Sequence, residues 1–235
     1  INRLKEILNY KEPLTLGNTF HAVAEGSGIY THWMLDTLPR FLMLIEKGFD
    51  INTFDHIVIA SANKPFHKRV IKRLGIDPSK IIQRAKIGQY FKCSSFTRIT
   101  QPRQNFVAPK NAYKNVVEFI KKDSVNLKNS YEKIYISRDK AVRRRVLNEK
   151  QLARFLQTCG YKIVYFEELD FTDAVSLVNN ASCIIAPHGA GLSNLIYARP
   201  KTKVVEIFSG HISVEYWYIS QQMGLNYNLF QADFP

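Results

Sequence analysis

The chain has 235 residues, 46% of them hydrophobic and 12% aromatic, which suits one large globular domain or two small ones and excludes a disordered or fibrous protein. Its 33 Lys plus Arg against 20 Asp plus Glu leave a net charge of +13. Such a balance fits an anionic partner (nucleic acid, an acidic membrane surface, an acidic polysaccharide or a diphosphate) or a basic surface that is simply solvated.

No apolar run reaches the roughly 20 residues that cross a bilayer, and no charged-then-apolar leader ends in a small-residue cleavage site. Cys93, Cys159 and Cys183 are widely spaced and odd in number. Two of them fall in patterns that read as buried helix and buried strand, so all three are expected to be reduced thiols of a cytoplasmic protein. No Cys/His group has zinc spacing.

The first predicted element is a helix over 32–47, followed by a strand over 56–60 and a helix over 65–74 that Gly75 closes. A strand at 80–82, a β-rich stretch at 95–99 and a helix over 109–122 complete a smaller α/β unit. The polar stretch 121–130 is the linker candidate and divides the chain into 1–125 and 126–235. Beyond it, a strand over 133–137 leads through a basic loop to Asn148, which with Gln151 three residues later reads as a capping box. The helix so started carries Leu152, Phe155 and Leu156 and stops at Gly160. Strands at 163–166, 183–186 and 204–208 then alternate with helical stripes at 171–178, after 194 and at 215–223, before a last strand near 227–229. This alternation is the pattern of βαβ units around a parallel sheet.

Three segments can carry chemistry. The turn His188-Gly189-Ala190-Gly191-Leu192-Ser193-Asn194 follows an apolar strand and opens a helix, so backbone N–H groups and the helix dipole converge above it as on an anion. Gly189-x-Gly191-x-x-Asn194 differs from the dinucleotide fingerprint in its third glycine and in following the third strand of its half, which argues against a dehydrogenase. Alone, such a turn is equally a plain structural turn. The second segment, Ser137-Arg138-Asp139-Lys140-Ala141-Val142-Arg143-Arg144-Arg145, leaves the carboxyl end of a strand, on the rim where open parallel sheets bind ligands. Its guanidinium groups suit phosphate oxygens, and equally a nucleic-acid patch. In the third, Tyr30 to Arg40, a helix capped by Thr31 puts His32, Asp36 and Arg40 four residues apart on one face. His32 and Asp36 can make a base with its orienting carboxylate, or a capped helix with an Asp–Arg ion pair.

Together these segments resemble glycosyltransferase family 61. The resemblance rests on Tyr30 to Arg40, on Ser137-Arg138 with Arg143-Arg144 and Asn148-Glu149, on His188 to Leu192, and on Val205-Glu206-Ile207. It implies a GT-B fold, two Rossmann-like domains with parallel sheets facing across a cleft, and inverting transfer from a UDP-sugar, with N-acetylglucosamine or xylose as the sugar and a hydroxyl of a glycan or glycoprotein as acceptor. Residues 1–125 form the acceptor side and 126–235 bind the nucleotide sugar. Arg138, Arg143, Arg144, the turn from His188 to Asn194, and Glu206 hold the donor, while Asp36 and His32 supply the base. No metal is expected; no Asp-x-Asp string occurs. Nucleic acid is not an expected partner, and the basic charge allows peripheral association with an acidic membrane. Two rivals make other predictions. A basic nucleic-acid-binding module using Arg138 to Arg145 with Tyr131 and Tyr135 would bind with steep salt dependence. A sugar-nucleotide-binding protein without transfer would be stabilised by UDP and form no product.

Overall fold

The structure, a computed structural model, describes residues 13–24, 26–83, 90–100, 108, 112–121, 131–141, 144–210 and 212–232. The chain is mixed α/β with two parallel sheets, and it divides into two compact units, Ile1–Arg103 and Gln104–Pro235. The 121–130 linker candidate lies outside the described residues except for Lys121, which ends a helix of the second unit.

The first unit is a four-stranded sheet in the order β3-β2-β1-β4, with β1 at Leu14–His21, β2 at His56–Ile59, β3 at Ile81–Gln83 and β4 at Phe91–Arg98. β1 was not foreseen, although it pairs with both β2 and β4 and so occupies an interior position. Its Leu16 and Phe20 are buried, and Phe20 packs edge-on against Phe41 with ring centroids 5.2 Å apart. The helix expected over 32–47 comes in three pieces: α1 at Tyr30–His32, a π-helical turn at Trp33–Thr37, and α2 at Leu38–Glu46. Leu38, Phe41 and Leu44 recur at helical spacing and are buried. α3 follows at Pro65–Arg73.

The second unit opens with α4, Ala112–Lys121, and then builds a five-stranded sheet from β5 (Lys133–Ile136), β6 (Lys162–Val164), β7 (Cys183–Pro187), β8 (Lys203–Ser209) and β9 (Asn226–Ala232). The order is β6-β5-β7-β8-β9, all pairs parallel. Counted within this unit, that is 2-1-3-4-5, so the order reverses between its first and third strands, β5 and β7. Ligands of open parallel sheets bind outside the carboxyl ends of the two strands at such a reversal.

Between these strands run α5 (Glu149–Thr158), α6 (Phe171–Asn180) and α7 (Glu215–Met223). α6 is capped by Asp170, whose carboxylate accepts from the Phe171 N–H at 2.6 Å. Several expectations need correction. Thr31, expected to cap a helix, lies inside α1, whose N-cap is Ile29 with no side-chain cap. Asn148 does begin α5 but makes no side-chain cap; the Gln151 N–H instead reaches the Asn148 carbonyl at 2.9 Å. The segment after Gly189 is a 3-10 helix, Ala190–Tyr197, rather than an α-helix. The three cysteines are unpaired, and Cys159, expected to be buried, is exposed at the end of α5. Among the described residues, no helix is long and apolar enough to cross a membrane.

Candidate functional site

β5 and β7 are hydrogen-bonded neighbours, and their carboxyl ends run directly into Ser137-Arg138 and His188-Gly189. The Arg138 guanidinium lies against the Gly189 backbone, where a Cβ would fall 1.9 Å from Nη1. Gly189 itself is fully extended (φ 169°, ψ 171°), a conformation open to any residue, so it is close approach that calls for glycine here. Arg138 Nε donates to the Arg144 carbonyl at 3.2 Å, and Arg144 takes a left-handed φ of 56° that side-chain-bearing residues rarely adopt. Burial, and then the neighbouring Arg144 charge, push the Arg138 guanidinium below its ordinary value. The Arg138 guanidinium is thus held between the Gly189 backbone and the Arg144 carbonyl. A small cavity of about 50 Å³ opens beside them, lined by Ile136, Ser137, Arg138, Pro187 and Gly191 among others.

Behind Arg138 stands Glu149, the first residue of α5 and only 3% exposed. Its Oε1 accepts from the Tyr135 hydroxyl at 2.9 Å, the Ser137 hydroxyl at 2.8 Å and the Arg138 N–H at 2.8 Å. A carboxylate at a helix N-terminus is favourably placed in the dipole, and here it also pins the end of β5. Burial, reinforced by the Glu149 charge and hydrogen bond, drives the Tyr135 hydroxyl far above its ordinary value, so it stays a donor.

The 188–194 turn divides its labour. Leu192 N–H closes onto the Gly189 carbonyl at 2.9 Å and Asn194 Nδ2 onto the Gly191 carbonyl at 3.0 Å. Ser193 and Asn194 are buried, whereas Ala190 and Gly191 are half-buried. The Asn194 amide therefore braces the turn. His188 Nδ1 bonds Glu206 Oε1 at 2.6 Å, and Glu206 Oε2 accepts from the Tyr227 hydroxyl at 2.6 Å. Glu206 has no exposed surface and stands behind His188.

A second His–carboxylate pair sits in the first unit, after the carboxyl end of β1. His32 Nδ1 and Asp36 Oδ2 are 2.8 Å apart, with side-chain exposures of 29% and 2%. With Asp36 ionised, the shared hydrogen lies on His32 Nδ1, because a carboxylate only accepts. Gly26 approaches this ring so closely that a Cβ there would lie 2.6 Å from His32 Cδ2, and its φ of +69° favours glycine independently. Arg40, one further turn on, is fully buried and donates from Nη1 to the Val23 carbonyl at 2.6 Å. Burial and then Arg98 lower its pKa, while the Asp36 charge acts in the opposite sense. Among the described residues no group of three or more His, Cys, Asp or Glu is gathered as metal ligands would be.

A family model, Glycosyltransferase 61, matches residues 30–205. The chain belongs to glycosyltransferase family 61. No curated protein matches it. The stretch matched by the family contains both His–carboxylate histidines, Asp36, the basic loop and the glycine turn, and it ends one residue before Glu206.

Of the donor-side residues expected from the sequence, the structure gathers Arg138, Arg144, His188, Gly189, Ala190 and Gly191 around the β5/β7 reversal. Leu192, Ser193 and Asn194 are buried supports of the turn. Arg143 lies outside the described residues. Two supporting residues were given no role in the site. Glu149 had a signal, an acidic residue opening the helix after the Ser-Arg strand end, and Tyr227 had none, because only register brings β9 beside β8.

Proposed function

We propose that this family 61 protein is an inverting glycosyltransferase. It moves a sugar, N-acetylglucosamine or xylose, from a UDP-sugar to a hydroxyl of a glycan or protein acceptor, on a GT-B arrangement of two Rossmann-like domains. The observation that carries the reading is Arg138 laid against Gly189 at the strand-order reversal of a parallel sheet. A cationic group, a backbone turn and the carboxyl rim coincide there, as a diphosphate requires.

In this reading the second unit binds the donor. Arg138, Arg144 and the backbone N–H groups at Ala190 and Gly191 meet the charge that grows on the diphosphate as its bond to the anomeric carbon breaks. His32 Nε2 takes the proton of the acceptor hydroxyl, and the oxygen attacks the anomeric carbon from the face opposite the diphosphate, which inverts the configuration. Asp36 orients His32 and stabilises the imidazolium that forms. Cationic side chains thus do what a bound metal does elsewhere, so the reading asks for no metal. A cytoplasmic location, with the basic surface resting on an acidic membrane, belongs to the same proposal.

A thermal-shift panel of UDP-, GDP- and CDP-sugars, followed by UDP release with candidate glycan acceptors, tests it. Stabilisation by UDP-sugars of about 2.7 kcal/mol at a hundredfold excess over Kd, with acceptor-dependent UDP release, is the expected result. Stabilisation without release would make the protein a binder only. Indifference to UDP together with steep, salt-dependent oligonucleotide binding would replace the reading with the nucleic-acid one.

A further inference from the structure

The face of β8 that carries Val204, Glu206 and Phe208 is buried, which puts one carboxylate in the middle of an apolar stripe. A buried carboxylate is unfavourable unless donors meet it. Register supplies them from both sides: Ala186 of β7 and Leu229 of β9 lie opposite Glu206. His188 and Tyr227 are each two residues from those partners, at the diagonal positions that long or aromatic side chains span. Each carboxylate oxygen takes one of them, at 2.6 Å and 2.6 Å. The His188 ring is also fixed in plane, stacked on Phe208 at 5.1 Å and tilted against Tyr216 at 5.3 Å. No described residue bonds His188 Nε2.

We propose that Tyr227 is a positioning residue of the donor site: through Glu206 it holds His188 so that Nε2–H donates to the diphosphate of a nucleoside diphosphate sugar. This rests on the donor-site reading above and adds to it a residue from beyond the stretch matched by the family. The chemistry is one of hydrogen bonding alone. Glu206 offers one oxygen to each partner, and the diphosphate meets His188 from its other nitrogen. An imidazolium between two anions is satisfied at both nitrogens, whereas a neutral ring with Nδ1–H on Glu206 would turn a lone pair toward phosphate oxygens. No proton is transferred in this role. Burial, with the Glu206 bond and charge, drives the Tyr227 hydroxyl well above its ordinary value, so it remains a donor and Glu206 remains an acceptor.

Calorimetry with UDP and with uridine, alongside long-range 1H–15N spectra of histidine, tests this on the full chain. In the wild type with UDP, both His188 nitrogens are expected to be protonated. Tyr227→Phe should weaken UDP by about three- to tenfold and Glu206→Gln by more, with uridine affinity unchanged in both, because only the phosphates meet His188. A Tyr227→Phe protein that binds UDP as the wild type does, or that loses UDP and uridine equally, overturns the proposal while leaving the donor site standing. A UDP-bound His188 with an unprotonated Nε2 overturns it without recourse to a variant. A wild type that binds no UDP sinks the donor reading and this inference together.

Discussion

Replacing Gly189 with alanine should separate the anion site from the fold. The added Cβ would lie 1.9 Å from Arg138 Nη1 and 2.8 Å from its Cζ, so one of the two must move. Backbone at φ 169° and ψ 171° accepts alanine without strain, and the obstructing atoms are the far end of a long side chain. The guanidinium therefore yields and the turn stays. Unfolding stability should change by no more than about 0.5–1 kcal/mol, the range of a tolerated glycine-to-alanine change. Turnover should fall much further, by about 10² to 10³, as when one preorganised donor to a developing anion is lost. Steady-state UDP release and urea unfolding on the same preparation measure the two effects. Because Gly189→Ala and Arg138→Ala remove the same contact, the double variant should be little slower than Arg138→Ala alone. Turnover of Gly189→Ala within threefold of wild type would refute the placement of Arg138 on the diphosphate.

The remaining expectations concern other parts of both units. His32→Ala should lower kcat by about 10² to 10⁴ with UDP affinity unchanged, and Asp36→Asn should lower it by a smaller factor; a His32→Ala rate within tenfold of wild type removes His32 as the base. Arg144→Gly relieves a left-handed φ of 56° and should be about 0.5–1 kcal/mol more stable than Arg144→Ala in urea, while both weaken UDP. His67 is fully buried, and burial followed by the Lys64 charge holds it at about 4, below the ordinary 6.5. The unfolded chain therefore binds the proton first, and stability present above pH 6.5 is lost as the pH falls toward 4, by on the order of 3 kcal/mol. Urea unfolding of wild type and His67→Phe at pH 7 and pH 5 checks the sign: the wild type should lose more.

Strands with continuous apolar or β-branched runs were legible: β5, β7 and β8 stand where Ile134, Ile184 and Val204 suggested. β1 was not, because Gly17, Asn18 and Thr19 interrupt its apolar pattern. Their reasons are tertiary. A Cβ at Gly17 would meet the Asp55 carboxylate at 2.2 Å, and the Asn18 N–H donates to that carboxylate at 2.7 Å. In the site, the His32–Asp36 pair followed from four-residue spacing, and the rim shared by Arg138 and Gly189 followed from βαβ order. That Glu206 stands buried behind His188 did not follow, since this depends on a strand register and burial that local sequence does not encode.

The π-helical turn at Trp33–Thr37 makes residue count, as well as residue identity, a determinant of where the His32 ring sits. Its wide turn closes with the Leu38 N–H on the Trp33 carbonyl, one residue further than in an α-helix. Deleting a single residue there other than Asp36 would restore regular winding and keep both His32 and Asp36. It would also turn His32 by about 100° relative to the buried Leu38, Phe41 and Leu44 stripe, and carry it away from Gly26. Within this stretch, substitutions that preserve length should be tolerated better than any insertion or deletion, so a library of one-residue deletions across 33–37 should yield folded but inactive proteins.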